Sequence, residues 1–263
     1  MSGPLGRTAV VTGASSGIGR AYAVDLARRG HDLLLVARRT DRLERLAADL
    51  RTSRGVVVEV AGWDLASEAG RMAAGRRLAA SPAPTILVLN AGFGAHGAFW
   101  AVDGPRQSEM VRLNCLGVLD LAHAALPGML AAGRGDIVVV SSAAAYQPLA
   151  YTATYAATKA FERSLTRALA EELRGTGVRA ITVCPGPTAT EFGAVAGTRE
   201  MAGRVPKDRC EDVVAATWRA LARGRVEVAT GRIATIARIA DRVLPVGVRI
   251  RAGAAIQRRG VPR

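Results

Sequence analysis

Apolar runs and amphipathic stretches alternate along the whole chain. The apolar runs predict β-strands at Thr8–Thr12, Asp32–Ala37, Val56–Val60, Thr85–Asn90, Asp136–Ser141, Val178–Cys184 and Val226–Ala229. The stretches with helical spacing predict α-helices at Ile18–Arg29, Arg42–Arg51, Glu68–Ala79, Gln107–Ala132, Thr154–Arg174 and Arg209–Arg223. Continuous runs such as Leu33–Val36 are typical of parallel strands that helices cover on both faces. The alternation predicts an α/β domain with a doubly wound parallel β-sheet and helices on both faces.

Length and cysteine usage narrow the class of protein. The 263 residues suffice for one full α/β core. The chain enters its first predicted strand within a few residues of Met1, which leaves no room for a signal peptide before it. Cys115, Cys184 and Cys210 are odd in number and widely spaced, so we expect neither a disulfide framework nor a metal site. We therefore expect a cytoplasmic protein in a reducing compartment.

The net charge of +14 does not by itself indicate a nucleic-acid partner. Arginine is spread through a chain that is also rich in glycine, and four phenylalanines and four tyrosines are too few for base-stacking platforms. We expect no nucleic-acid binding. The positive field would still attract anionic cofactors and substrates.

A glycine-rich turn lies between the first strand and the first helix. Its spacing is G-x-x-x-G-x-G, and it comprises Gly13, Ser15, Ser16, Gly17, Ile18 and Gly19. Glycines allow a tight turn and let the backbone approach a pyrophosphate at the N-terminus of the helix. The turn predicts a dinucleotide site, and an ordinary strand-to-helix turn is the alternative.

The end of the second strand bears on which dinucleotide binds. A site selective for NAD needs an acidic residue there for the ribose 2′-hydroxyl, and Ala37 supplies none. Arg38 and Arg39 follow, and their guanidinium groups suit a 2′-phosphate. The pattern favours NADP(H) over NAD(H), although two surface arginines in an arginine-rich chain would look the same.

Tyr155 and Lys159 are four residues apart on a predicted helix. Lys159 is one of only two lysines, beside 34 arginines. The spacing places both side chains on one helix face, where an ammonium is expected to lower the pKa of the phenol. The pair predicts a general acid/base that works near neutral pH.

Further motifs follow along the chain. They are Asp64-Leu65 after the third strand, Asn90-Ala91-Gly92 after the fourth, Asn114 in the long helix, Ser142 thirteen residues before Tyr155, and Pro185-Gly186 with Thr188 and Thr190 after the sixth strand. With the glycine turn and the Tyr155–Lys159 pair, they resemble the compact branch of the short-chain dehydrogenase/reductase (SDR) family over about residues 5–230. The resemblance implies a single Rossmann-type domain.

The resemblance also implies roles for these residues. Tyr155 would exchange a proton with the substrate oxygen, Ser142 would hydrogen-bond that oxygen, and Lys159 would hold the nicotinamide ribose. Asn114 would hold a water that links Lys159 to solvent, or would merely satisfy buried backbone groups. The remaining motif residues would contact the cofactor: the adenine at 64–65, the adenosine ribose at 90–92, and the carboxamide and phosphate around 185–190. Thr188 and Thr190 read equally well as plain loop residues.

Together these features predict an NADP(H)-dependent oxidoreductase. Its expected pocket walls are Phe93–Trp100, Ala143–Tyr151 and the loop from Pro185 to about Lys207, which are apolar and nearly free of charge before Glu191. They favour a mainly apolar ketone, aldehyde or secondary alcohol. The alternative is a non-catalytic, NADP(H)-sensing or membrane-surface-associated protein on the same fold.

The segment 231–263 departs from the family pattern and forms an extension to the domain at 1–230. From Leu221 onward there are ten arginines against one glutamate and one aspartate. Ile233, Ile236, Ala237, Ala240, Val243 and Leu244 form a helical apolar stripe that stops near Pro245. A basic amphipathic helix can lie on an anionic membrane. We favour packing on its own domain or on a second subunit, in a homo-oligomer (dimer or tetramer).

Overall fold

The strands form one parallel sheet in the computed structural model, which describes residues 7–80, 82–197 and 207–258. The strands are β1 (Thr8–Thr12), β2 (Asp32–Val36), β3 (Val58–Ala61), β4 (Ile86–Leu89), β5 (Gly135–Val140), β6 (Val178–Pro185) and β7 (Glu227–Thr230). Their order is β3-β2-β1-β4-β5-β6-β7, and every neighbouring pair is parallel. The predicted fold class is confirmed.

Helices cover both faces of the sheet. They are α1 (Gly17–Arg28), α2 (Thr40–Arg54), α3 (Glu68–Ala79), α4 (Gly104–Val111), α5 (Gly117–Ala131), α6 (Ala153–Glu172), α7 (Phe192–Val195), α8 (Cys210–Ala222), α9 (Gly231–Val243) and α10 (Val246–Gln257). Successive strand residues point to opposite faces. Val11 accordingly packs with α1, α2 and α8, whereas Val10 packs with α3 and α5. The strands are apolar without alternation because both faces are covered.

The long helix predicted at Gln107–Ala132 is interrupted. A π-helical turn at Arg112–Leu116 joins α4 to α5, and Asn114 lies within it. The combined stretch Gly104–Ala131 is long and apolar enough to cross a membrane by length and composition alone. Its residues Leu121 and Met129 lie in the core against α3 and the sheet, which accounts for the apolar composition.

Three further elements among the described residues were not predicted. A 3-10 turn at Ala143–Tyr146 follows β5, α7 lies in the loop after β6, and α10 follows Pro245. Residues 198–206 of that loop lie outside the described residues, as do the first six residues and the last five.

The apolar stripe of the C-terminal extension lies mostly at the surface. α9 packs on the domain through the buried Ala234 and through Asp241, which pairs with Arg163 of α6 and Arg249 of α10. Ile236 is 64% exposed and Val243 is 67% exposed. The extension is thus attached to its own domain by polar contacts, while much of its apolar side stays open to solvent.

Candidate active site

The glycine turn between β1 and α1 is tightly closed. Gly13 and Gly17 have φ of 66° and 54°, a region that disfavours other residues. A Cβ on Gly19 would lie 2.4 Å from the Gly13 carbonyl oxygen. Ser16, at the N-cap of α1, makes no side-chain capping bond, so the helix N-terminus keeps N–H donors for an anion. The turn therefore fits a phosphate group of a dinucleotide.

The segment after β4 is hydrogen-bonded to the residue directly before this turn. The Asn90 side chain donates to the Thr12 carbonyl at 3.0 Å, and Thr12 Oγ1 accepts from the backbone N–H groups of Asn90 and Ala91 at 2.9 and 3.0 Å. A Cβ on Gly92 would lie 3.4 Å from Lys159 Nζ. The segment Asn90–Gly92 thus lies between the glycine turn and the lysine.

The two arginines after β2 have different surroundings. Arg38 pairs with Glu109 at 3.0 Å, and Arg39 donates to Ser15 and Ser16 of the glycine turn at 3.1 and 2.8 Å. Arg39 also pairs with Glu191 at 2.8 Å. Of the two, only Arg39 bonds to the turn.

A cleft of about 990 Å³ opens between the glycine turn, α2 and the loop after β6. Arg20, Arg42, Arg45 and Lys207 line it, and Arg42 shares Glu191 with Arg39. The cationic lining is suited to the phosphates of a dinucleotide.

Ser142 and Tyr155 meet at the carboxyl end of β5. Ser142 caps the 3-10 turn by accepting from the Ala144 N–H at 3.1 Å, which holds its hydroxyl in place. That hydroxyl lowers the pKa of the phenol of Tyr155, which stands in the first turn of α6, so the two groups are close to each other. Lys159 Nζ lies 5.9 Å from the centre of the Tyr155 ring. The structure therefore brings three of the four predicted catalytic residues together.

Lys159 is bound to a residue that sequence reasoning missed. Its ammonium contacts both carboxylate oxygens of Glu162, at 2.9 and 3.0 Å, and the Val140 carbonyl at 3.1 Å. Glu162 is 1% exposed. Its spacing of three residues from Lys159 on one helix was the available signal, because side chains at that spacing are neighbours.

The expected lowering of the phenol pKa is wrong for the free protein. Burial raises the pKa of Tyr155 above its ordinary value, and Lys159 and Ser142 oppose this only in part. Glu162 adds a further upward contribution. Burial likewise raises the pKa of Glu162 to about 7, against the lowering effect of Lys159.

Asn114 is fully enclosed, with 0% exposure. Its side chain accepts from the Phe93 N–H at 3.2 Å and donates to the Phe93 carbonyl and to Thr158 Oγ1, each at 3.0 Å. These bonds fix the segment that follows Gly92. They agree with the alternative in which Asn114 satisfies buried backbone groups. Its role in holding a water stays a prediction.

The remaining predicted cofactor residues lie on two loops. Asp64 accepts from the Ala66 N–H at 3.1 Å, and Leu65 is buried under α5. After Pro185, Gly186 donates to the Thr230 carbonyl at 3.0 Å, which ties the loop to β7.

The two threonines of the second loop face different neighbours. Thr188 forms a β-bridge with Asp208, and its hydroxyl donates to the Gly186 carbonyl at 3.0 Å. A Cβ on Gly17 would lie 2.9 Å from the Thr190 methyl group, so Thr190 reaches the glycine turn. Of the two, Thr190 is the one in position to meet a phosphate there.

A second cleft, of about 690 Å³, opens between the segment after β4 and the loop after β6. Residues 95–98 and 100–102, Tyr151 and residues 195–197 line it, so the predicted walls meet. Arg106 and Arg258 also line it, from outside the predicted wall segments. Gly94, next to this lining, leaves room for Tyr155 and Phe192, whose rings are 5.3 Å apart. The pocket is apolar with two cationic groups at its edge, which corrects the expectation of almost no charge.

A model of the short chain dehydrogenase family matches residues 7–200. The chain belongs to this family. The resemblance found from the sequence motifs is therefore confirmed, and the chain is an SDR oxidoreductase with a Rossmann-type domain.

Individual relatives agree with this membership. The chain is 37% identical over 189 residues to an uncharacterized oxidoreductase of Myxococcus xanthus, covering 72% of this chain and 74% of that protein. It spans only 15% of a glycine betaine reductase of Emericella nidulans and 62% of the human very-long-chain 3-oxoacyl-CoA reductase.

Two solved structures are also similar. A short-chain dehydrogenase from Sphingobium yanoikuyae in complex with NADPH superposes with a TM-score of 0.81 at 36% identity, covering 85% of this chain and 87% of that one. A bulky-bulky ketone specific alcohol dehydrogenase from Comamonas testosteroni gives 0.77 at 31% identity, covering 86% of each chain.

Proposed function

We propose that this SDR protein is an NADP(H)-dependent oxidoreductase that interconverts a mainly apolar ketone or aldehyde and the corresponding secondary or primary alcohol. The observation that carries the proposal is the convergence of Ser142, Tyr155 and Lys159 beside the glycine turn. A non-catalytic, cofactor-sensing protein would not need a hydroxyl pair and a buried lysine at this point.

The chain offers a coherent set of contacts for the cofactor. The backbone of the glycine turn and the uncapped N-terminus of α1 would hold the pyrophosphate. Arg38 and Arg39 would hold the 2′-phosphate, and the lack of an acidic residue at Ala37 favours NADP(H) over NAD(H). The NADPH-bound relative supports this choice. Lys159 and the loop at 185–190 would face the nicotinamide end.

The residues at the end of β5 would handle the proton. When bound, the cofactor supplies or accepts the hydride. In carbonyl reduction Tyr155 gives its phenolic proton to the substrate oxygen, and in oxidation the tyrosinate removes it. Ser142 donates a hydrogen bond to that oxygen and stabilises the charge that develops on it. Burial keeps the phenol protonated, which suits reduction.

The lining of the second cleft supports a substrate with a bulky apolar body. Its volume of about 690 Å³ is within the usual range for small-molecule pockets. Trp100, which is 88% exposed at its edge, would cover such a body. The ketone-specific relative acts on bulky ketones by its description, which agrees with this choice.

Consumption of NADPH against a panel of bulky and small ketones and aldehydes tests the proposal. We expect turnover with some bulky ketones and a loss of at least about 100-fold in Tyr155→Phe, the usual scale for a proton-transfer group. Tyr22→Phe, at a phenol that bonds Thr217 in the core and lines neither cleft, is the matched control and should retain activity. Tight NADPH binding without turnover on any compound would favour the sensing alternative.

We further propose that the protein is a cytoplasmic homo-oligomer (dimer or tetramer). Exposed apolar side chains on α9, such as Ile236 and Val243, support a subunit contact. Light scattering should give a mass above one chain, and Ile236→Ser should lower it. Binding to anionic liposomes that disappears in the same variant would instead favour membrane contact.

A further inference from the structure

Glu162 is a carboxylate in the interior of the protein. It lies on α6, three residues after Lys159, and is 1% exposed. A buried charged group is unfavourable unless it is paired and hydrogen-bonded. Glu162 meets this condition through Lys159, which contacts both of its oxygens at 2.9 and 3.0 Å.

In the free protein the ammonium of Lys159 directs its hydrogen bonds to Glu162 and to the backbone of Val140. A lysine has three N–H donors. Two are directed to Glu162 and the third to the Val140 carbonyl at 3.1 Å. None is directed at Tyr155, and the ammonium is 5.9 Å from the centre of that ring. The positive charge of Lys159 near the Tyr155 phenol is therefore largely balanced by the carboxylate of Glu162.

Among the described residues, no further charged group faces the Lys159–Glu162 pair. The titratable groups that face Glu162 or its partners are Lys159 and Tyr155 on α6, Cys115 on the π-helical turn and Cys184 on β6. Burial raises the pKa of each thiol to about 11, so both are uncharged near neutral pH. Ser141, directly after β5, contributes a neutral hydroxyl that donates to the Lys159 carbonyl at 2.8 Å.

We propose that Glu162 is a positioning residue that acts as the counter-ion of Lys159, so that Tyr155 keeps its proton to higher pH and the site favours carbonyl reduction over alcohol oxidation. The direction of catalysis in this statement depends on the proposed function, whereas the effect on the phenol does not. Reduction needs the protonated phenol and oxidation needs the tyrosinate. A carboxylate that cancels the lysine's charge therefore shifts the balance between the two directions.

Ultraviolet titration of tyrosinate in the free protein tests this inference. Each protein is compared with its own Tyr155→Phe version, so that the difference reports this phenol alone. In Glu162→Gln the Tyr155 signal should rise about one pH unit lower than in the wild type, the low end of the effect of a nearby charge. The amide keeps the size of the side chain and removes only its charge.

Two further variants separate charge from packing. Glu162→Asp retains the charge and should titrate close to the wild type. Glu171→Gln removes an exposed carboxylate from the same helix, where it pairs with Arg174, and should leave the titration unchanged. A Tyr155 signal that appears at the same or a higher pH in Glu162→Gln would overturn the inference.

The titration uses neither substrate nor cofactor, so it is informative even when no substrate is found. If Glu162→Gln fails to fold, the titration of the wild type alone still tests the inference. Tyrosinate at Tyr155 near neutral pH would show that the charge of Lys159 is not balanced, which would contradict the inference. Once a substrate is known, Glu162→Gln should raise the ratio of oxidation to reduction rates above pH 7, where Glu162 is mostly ionised because its pKa is about 7. An unchanged ratio together with an unchanged titration would exclude the counter-ion role.

Discussion

A methyl group at Gly19 tests the phosphate-binding turn directly. In Gly19→Ala the new Cβ would lie 2.4 Å from the Gly13 carbonyl oxygen and 2.5 Å from Asn90 Nδ2. Ordinary contacts of a Cβ begin near 3.4 Å. Both neighbours are fixed, since Gly13 donates to the Val36 carbonyl at 2.8 Å and Asn90 donates to Thr12 at 3.0 Å. The turn must therefore shift by about 1 Å.

The size of the effect follows from this overlap. Inserting a methyl group into a packed site costs about 1–3 kcal/mol. Because the turn is the proposed pyrophosphate site, we expect the dissociation constant for NADPH to rise by about tenfold or more, where tenfold corresponds to about 1.4 kcal/mol. The melting temperature should fall as well, since α1 packs in the core through Tyr22 and Leu26.

Fluorescence titration with NADPH and thermal unfolding measure the two consequences. Gly247→Ala is the matched control, since a Cβ there would meet nothing within 4 Å and the residue lies in α10. It should bind NADPH as the wild type does and be slightly more stable, because alanine favours helices over glycine. Gly19→Ala binding NADPH with unchanged affinity would refute the assignment of the turn.

Three further changes probe other parts of the account. Arg38→Ala should weaken NADPH binding far more than NADH binding, and equal losses in calorimetry would show that Arg38 does not contact the 2′-phosphate. Glu191→Gln removes a carboxylate that pairs with Arg39 beside the glycine turn and should tighten NADPH binding; weaker binding would contradict this. Asp25→Asn should destabilise the fold by about 1–3 kcal/mol at neutral pH, because Asp25 accepts from Trp218 at 2.7 Å. Burial raises the pKa of Asp25, but its hydrogen bonds lower the pKa by more, so the pKa in the folded protein lies below its ordinary value. This stabilisation therefore exists above about pH 4 and disappears as the pH falls below it. In urea unfolding the gap between variant and wild type should therefore close in acid, and a gap independent of pH would refute the reasoning.

The fold could be predicted because the pattern of apolar residues along the chain agrees with which residues are buried in the structure. β1 has its predicted bounds, Thr8–Thr12, and the other strands differ by one or two residues at an end. Continuous apolar runs identified doubly covered strands, and the glycine spacing identified the turn before α1. α10 was missed because its sequence, from Val246 to Gln257, lacks a consistent apolar face.

The sequence predicted which residues form the candidate site better than it predicted the charges and pKa values within it. Spacing placed Tyr155 and Lys159 on one helix face, and the family resemblance added Ser142, which the structure places close to the phenol. Whether Glu162 faces solvent or the lysine depends on tertiary packing, which the spacing alone does not determine. The same holds for the pKa of Tyr155, where burial outweighs the neighbouring ammonium.

Transfer of a labelled hydride is the most direct test of the central claim. NADPH that carries deuterium at the reactive carbon of the nicotinamide ring, incubated with the protein and a bulky apolar ketone, should give an alcohol with one deuterium by mass spectrometry. The label should be almost absent with Tyr155→Phe over the same time. An unlabelled product, or equal labelling with the wild type and Tyr155→Phe, would contradict an oxidoreductase that works through Tyr155.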